Sequence, residues 1–244
     1  MRCQLCGEDR KLIEAHILPR SFFGIDPAER QPSRLVTNVA GRYGRKMPKG
    51  AYDPSIVCEE CERRFSAWDD YGAELFLQRW DEFERLEHLG EHVGYRLATF
   101  DYNRLKMFFL SVLWRAAVSS HEMFYAVKVG PYGEALKRAV IDSRPGGPDE
   151  FAVALQAFDS TDVGMLNPMA ERFEGVRYYR FYLSHVIAFV KVDSRPPPDS
   201  LRPLTIQPGG ALWLASKTFA GSPEREIMRN LVLKDVQRRS GARR

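Results

Sequence analysis

The chain has 244 residues, 44% of them apolar and 28% charged, with a formal net charge of +4. Such a length suits one large domain or two small ones, and such an apolar content supports a packed core. No stretch approaches the roughly eighteen uncharged apolar residues that a membrane helix needs. The opening Met1-Arg2-Cys3-Gln4-Leu5-Cys6 lacks the apolar run of a signal peptide, so a cytoplasmic location without a membrane partner is the expectation. The charge is too mild to argue for nucleic acid by itself, but it is unevenly placed: residues 1–50 hold ten basic side chains against five acidic ones. The C-terminus is basic too, with Arg238, Arg239, Arg243 and Arg244, which a solubilising tail would equally explain.

In chain order, Gly7 after Cys6 suits a tight knuckle turn, and residues 11–18 alternate well enough for a strand that Pro19 ends. Residues 24–54, punctuated by glycine and proline, read as loop with a short strand near Leu35-Val36. From Cys61 the spacing of Phe65, Trp68, Phe76 and Trp80 becomes helical. Asp101 is a good cap for a second helix that carries Leu105, Phe108, Phe109, Val112, Leu113 and Ala116 to about Ser120. A third helix is predicted over 132–141, before Gly146-Gly147-Pro148 breaks the chain. Strands follow at 151–155 and across 178–192, then a hairpin of 204–206 with 211–214 about Gly209-Gly210. Pro223 opens a final helix. His88 and His92 are spaced i, i+4, but Gly90 and Gly94 weaken a helix there, and the pair reads as surface coincidence. The fold class is therefore α+β: a small module over 1–90, then an α+β domain over 100–244 of helices and an antiparallel sheet, with the break near 89–99.

The four cysteines carry the most specific chemistry. They are too few for a disulfide-stapled domain of this size, and they form two CxxC pairs, Cys3/Cys6 and Cys58/Cys61. Two such turns bring four thiolates to one point, the donor set of a structural zinc ion. A zinc closed by four sulfurs keeps no open position for a substrate, so it would pin the segment before His16 to the helix after Cys61. A redox CxxC would not come twice, and chance is the remaining explanation.

The order CxxC, His16-Ile17-Leu18-Pro19, loop, CxxC, helix resembles the HNH (ββα-metal) endonuclease family over about residues 3–75. The resemblance implies a zinc-stabilised ββα module with His16 as the general base that activates water, a role suited to a group titrating near neutrality. The family's acidic or histidine metal ligand just before that base is replaced here by Ala15, and Glu14 is the nearest substitute. The helix-start ligand falls on Glu62, whose carboxylate suits magnesium or manganese. The residue that orients the base falls on Asp53, with Asn38 as the other candidate. Arg42, Arg45, Lys46 and Lys49 lie in the loop expected beside the cleft, where they would grip DNA phosphates or, equally, only solvate the surface.

The function these expectations imply is a metal-dependent endonuclease acting on DNA, with restriction or phage defence as its setting by analogy. The alternative is a non-catalytic, zinc-stabilised module that binds nucleic acid or protein, which the missing acid at Ala15 favours. The candidate roles of residues 100–244 are oligomerisation, substrate capture and sensing.

Overall fold

The computed structural model describes residues 1–244 apart from 24, 27–30, 33, 36–44, 48, 161, 162, 164 and 242–244. Asn38 and Arg42 fall outside the described residues, as does the side chain of Arg45. The first strand is far shorter than the predicted 11–18. β1 (Ala15–His16) pairs antiparallel with β6 (Tyr52–Asp53), Ala15 opposite Asp53 and His16 opposite Tyr52. Between them lie two further short pairs. β2 (Ile25–Asp26) joins β3 (Gln31–Pro32), and β4 (Arg34–Leu35) joins β5 (Arg45–Lys46), the latter where a strand near Leu35 was expected.

α1 (Glu59–Ala73) begins directly after Cys58 and places Glu59, Glu60 and Glu62 in its first turn. Carboxylates there offset the exposed backbone N–H groups and the positive end of the helix dipole. Its buried residues Cys61, Phe65, Trp68 and Gly72 follow the helical period and pack on α2 (Tyr102–Val118). Asp101 caps α2 as expected, its Oδ1 accepting from the Arg104 N–H at 3.0 Å. Thirteen of the seventeen residues of α2 are buried, because α1, α3 (Gly133–Ile141) and the sheet all pack against it. That enclosure explains an apolar pattern too broad for one face.

The sheet has seven strands. β7 (Glu84–His88), β8 (Glu91–Leu97), β9 (Val153–Phe158), β10 (Met169–Phe173), β11 (Val176–Leu183), β12 (Val186–Lys191) and β13 (Leu212–Lys217) stand in the order β10-β11-β12-β9-β13-β8-β7. The stretch 178–192 is a bent pair, β11 with β12. Two expectations need correction. The sheet is mixed, since β13 runs parallel to β9 with Ala215 opposite Gln156. The predicted hairpin about Gly209-Gly210 does not form: Arg202–Leu204 is a 3₁₀ turn containing Pro203, Thr205 makes an isolated bridge to Ala154, and β13 pairs instead with β8 and β9.

The β7–β8 hairpin also occupies the expected break near 89–99. Leu89 and Gly90 have φ of 52° and 80°, the left-handed pair of a tight two-residue hairpin turn. Through β8 this hairpin joins the large sheet, and one buried apolar cluster runs from Cys3 to Leu214. Residues alternate across β11: Tyr179, Phe181 and Leu183 join that cluster, while Tyr178 and Tyr182 join a second one that α4 (Pro223–Gly241) covers with Met228 and Leu231. Glu224, near the start of α4, accepts from Arg180 and Lys217 and fastens the helix to this face. No helix of the described residues is long and apolar enough to cross a membrane.

Gly94 lies where β8 meets both neighbours, and a Cβ there would collide with the Leu214 carbonyl oxygen. At an open site Gly→Ala raises stability by about 0.4–1 kcal/mol. Gly94→Ala is expected to lower it by about 1–3 kcal/mol, the usual cost of forcing atoms into filled space. Urea unfolding of the two proteins measures the sign.

Candidate functional site

The four cysteine sulfurs lie within 4.8 Å of one another, although the two pairs are more than fifty residues apart. Cys3 Sγ is 3.7 Å from Cys61 Sγ, and Cys6 Sγ is 4.0 Å from Cys58 Sγ. These separations exclude a disulfide, whose sulfurs stand about 2.05 Å apart. They match a tetrahedron of sulfurs about 2.3 Å from a central zinc, which stand about 3.8 Å from each other. Local structure makes the knot. Gly7, at φ 78°, closes the first turn with its N–H bonded to the Cys3 carbonyl at 2.9 Å. Cys58 caps α1 and Cys61 sits in its first turn. The Gln4 and Ile13 N–H groups reach the carbonyls of Ile56 and Val57 at 2.9 and 3.1 Å, which seats the knuckle on the chain leading into α1.

The Cys58 N–H points at Cys3 Sγ from 3.4 Å. Burial works to raise the Cys3 thiol, but this N–H and those of its own turn outweigh burial and hold it at about 7. Burial and the neighbouring sulfurs drive Cys61 far above the ordinary thiol range. Four thiolates cannot share so small a space without a cation. The donor set, its spacing and its burial fit a zinc ion.

Beside the knot, β1 delivers His16 to the start of α1. Its backbone N–H donates to Glu62 Oε1 at 3.2 Å, and its carbonyl accepts from Arg115 of α2 at 2.7 Å. Arg115, fully buried, also donates to both carboxylate oxygens of Asp69 at 2.6 and 2.8 Å. Glu62 and Asp69 stand seven residues apart on α1, two turns along one face. Burial pushes both carboxyls upward, and the Arg115 guanidinium opposes it. Glu62 Oε2 is buried without a hydrogen-bond partner. Asp69 and Arg115 were not among the residues the sequence singled out. The i, i+7 spacing from Glu62 is the signal that points to Asp69, whereas nothing local marks Arg115.

The His16 ring itself is bonded through Nε2 to the Lys49 carbonyl at 2.9 Å. A carbonyl only accepts, so Nε2 carries the proton and Nδ1 offers its lone pair. The expected partner, Asp53, is elsewhere. The β1–β6 register sets Asp53 opposite Ala15 and Tyr52 opposite His16, and successive residues of a strand face opposite ways. Asp53 is buried, its Oδ1 accepting from the Ser55 N–H and hydroxyl and its Oδ2 from the Ser119 hydroxyl and the Ser120 N–H and hydroxyl. It ties β6 to the end of α2 and does not orient His16. Glu14 does not join Glu62 either. It is exposed, its Oε2 paired with Lys49 Nζ at 2.7 Å, because the chain before β1 turns it to the surface. Among the described residues, the cysteines are the one group of three or more potential metal donors that converges. Lys46 and Lys49 are both exposed. His88 and His92 lie on separate strands of the β7–β8 hairpin, remote in role from any metal group, with His92 bonded to Ser216 and the Gly94 carbonyl.

No family model matches this chain, and neither a curated protein nor a solved structure is significantly similar to it.

Burial works to raise the Asp53 carboxyl, but the hydrogen bonds from Ser55, Ser120 and Ser119 prevail and hold it at about 2. A carboxyl depressed in the fold stabilises it above the unfolded value of about 3.9 and loses that contribution as pH falls through the folded value. Asp53→Asn is therefore expected to cost about 2 kcal/mol at neutral pH. Urea unfolding at a series of pH values should show the gap between the two proteins closing between about pH 4 and pH 2. A gap independent of pH would mean that the charge on Asp53 is not what holds β6 to α2.

Proposed function

We propose that residues 3–75 are an HNH-type nuclease module, closed by a structural zinc at Cys3, Cys6, Cys58 and Cys61, that hydrolyses phosphodiester bonds in DNA. The observation that carries this reading is the His16 ring: partly buried, with Nε2–H fixed on the Lys49 carbonyl and Nδ1 left as the accepting nitrogen, on a two-stranded ladder followed by a helix. A general base needs this kind of orientation by its second nitrogen. Nδ1 takes a proton from water as its oxygen attacks the phosphorus, and the leaving oxygen departs on the far side. The Lys49 carbonyl stabilises the imidazolium that results, in the place expected for Asp53.

The catalytic magnesium or manganese of this reading has one protein donor that fits, Glu62, whose Oε2 is buried and unpartnered. Such ions keep several waters and use one or two carboxylates together with substrate phosphates, so a single donor is a sparse but workable set. When bound, the ion would offset the charge that builds on the phosphate oxygens. Glu14 is turned to the surface, away from Glu62, and Ala15 has no side-chain donor. That scarcity favours a second reading, a zinc-stabilised module that binds nucleic acid or protein without cutting. Restriction or phage defence remains the setting suggested by analogy.

Zinc is tested directly. Metal analysis should find about one zinc per chain, with sulfur neighbours near 2.3 Å by X-ray absorption. Cys58→Ser should lose the metal and melt the N-terminal module first, and a fully ordered protein without zinc would defeat the assignment.

Cleavage is tested on plasmid DNA with magnesium and with manganese. His16→Ala should lower nicking by at least about a hundredfold while leaving zinc content unchanged. Glu62→Ala should do the same, with partial recovery in excess manganese. Wild-type protein that never nicks DNA under either metal would leave the binding module as the reading that stands.

A further inference from the structure

A cleft of about 420 Å³ is lined by Lys49 and Tyr52, two neighbours of His16. Among the described residues Lys46, Lys49 and Tyr52 line it, together with Met47, Gly50, Pro54 and His121 just past the end of α2. It adjoins the His16 cluster by two links: Tyr52 is opposite His16 in the β1–β6 ladder, and the Lys49 carbonyl holds the His16 ring at 2.9 Å. Lys49 Nζ lies over the Tyr52 ring, 5.5 Å from its centre, so an ammonium group and an aromatic ring meet in the cleft, and a phosphate that draws Lys49 aside uncovers the ring.

We infer that this cleft is a binding subsite for one nucleotide of a nucleic-acid strand, its base against Tyr52 and its phosphate against Lys46 and Lys49. The inference rests on the nuclease reading for the position of the scissile bond, but not for binding itself. The volume is large enough for a single nucleotide unit. The chemistry of the walls asks for a ligand that is anionic at one end and flat at the other. A free phosphate would leave Tyr52, Met47 and Pro54 unused. Lys49 is at present paired with Glu14, but both side chains are at least half exposed, at 58% and 50%. An exposed pair of this kind contributes little, so a phosphate can displace Glu14. Base–aromatic stacking tolerates any base, because each has a π-face. The subsite therefore holds a strand without reading its sequence, and it requires the base to leave a neighbouring stack. This predicts a preference for single-stranded or distorted DNA close to the bond that is cut.

The test uses the full-length zinc-loaded protein carrying His16→Ala, so that no cutting intervenes. A fluorescent hexameric single-stranded oligodeoxynucleotide is compared, by anisotropy, with an abasic sugar-phosphate hexamer of the same charge. The intact strand should bind at least about fivefold more tightly than the abasic one. Tyr52→Leu should remove that preference and Tyr52→Phe should keep it. Lys46→Ala with Lys49→Ala should weaken both strands together and flatten the salt dependence. Equal binding of the intact and abasic strands, or no binding of either, overturns the subsite. So does a full preference retained by folded Tyr52→Leu. Should Tyr52→Leu not fold, the wild-type Tyr52 background compared across the two strands, together with Tyr52→Phe, still decides. The two readings fail separately. A base preference without any nicking by the protein bearing His16 leaves the subsite and removes the nuclease, whereas nicking without a base preference removes the subsite alone.

Discussion

A single guanidinium ties the small module to the body of the protein. Arg115 belongs to α2, at the centre of the larger body, yet it holds both oxygens of Asp69 on α1 and the carbonyl of His16 on β1. It also bonds the Ser111 hydroxyl and carbonyl one turn back and lies over the Phe65 ring at 4.7 Å. A buried arginine cannot shed its charge, so the partners that surround it are obligatory. Removing one leaves an uncompensated ion in a low-dielectric interior, a loss of about 3–5 kcal/mol. Satisfying this one group brings β1, α1 and α2 together at the His16 backbone.

The sulfur knot and the Arg115 pair divide the task. The knot joins the N-terminal turn to the start of α1, and the ion pair joins α1 to α2 in the next two turns. Asp53 adds a third fastening, from β6 to Ser119 and Ser120. His16 lies among all three, with its backbone N–H bonded to Glu62 and its carbonyl to Arg115. A similar logic holds on the far face of the sheet, where Glu224 collects Arg180 and Lys217 so that α4 can lie on Tyr178 and Tyr182.

What the sequence makes legible is local. The CxxC spacings foretell a four-sulfur cluster, since two turns of fixed geometry suffice to build each half of it. Asp101 as a cap, Pro223 as a helix start and the apolar run of α2 are likewise determined within a few residues. What stays hidden is decided by partners distant in sequence. β7 carries Glu84, Arg85, Glu87 and His88, a polar string that becomes a strand only because it lies at the edge of a sheet. The parallel pairing of β13 with β9 joins segments some sixty residues apart. Position points to Asp53 and residue type to Asn38 as the partner of His16, but a backbone carbonyl, which every residue has, takes that place. Arg115 reads from sequence as one more charge on a helix, and its burial follows from the tertiary contacts of α1.

The sulfur knot and the short β1–β6 ladder close both ends of the chain between Cys6 and Cys58. Closing a flexible loop costs an entropy that grows only with the logarithm of its length, so doubling such a segment adds about 0.6 kcal/mol. The intervening chain is itself held at a few points, among them the Lys49 carbonyl at His16 and Asp53 at Ser119 and Ser120. Insertions, deletions and exchanges of charge can accumulate there while the cysteines, His16 and Glu62 keep their places. The module is thus built as a socket, in which a surface segment can change length without moving the sulfurs at its base.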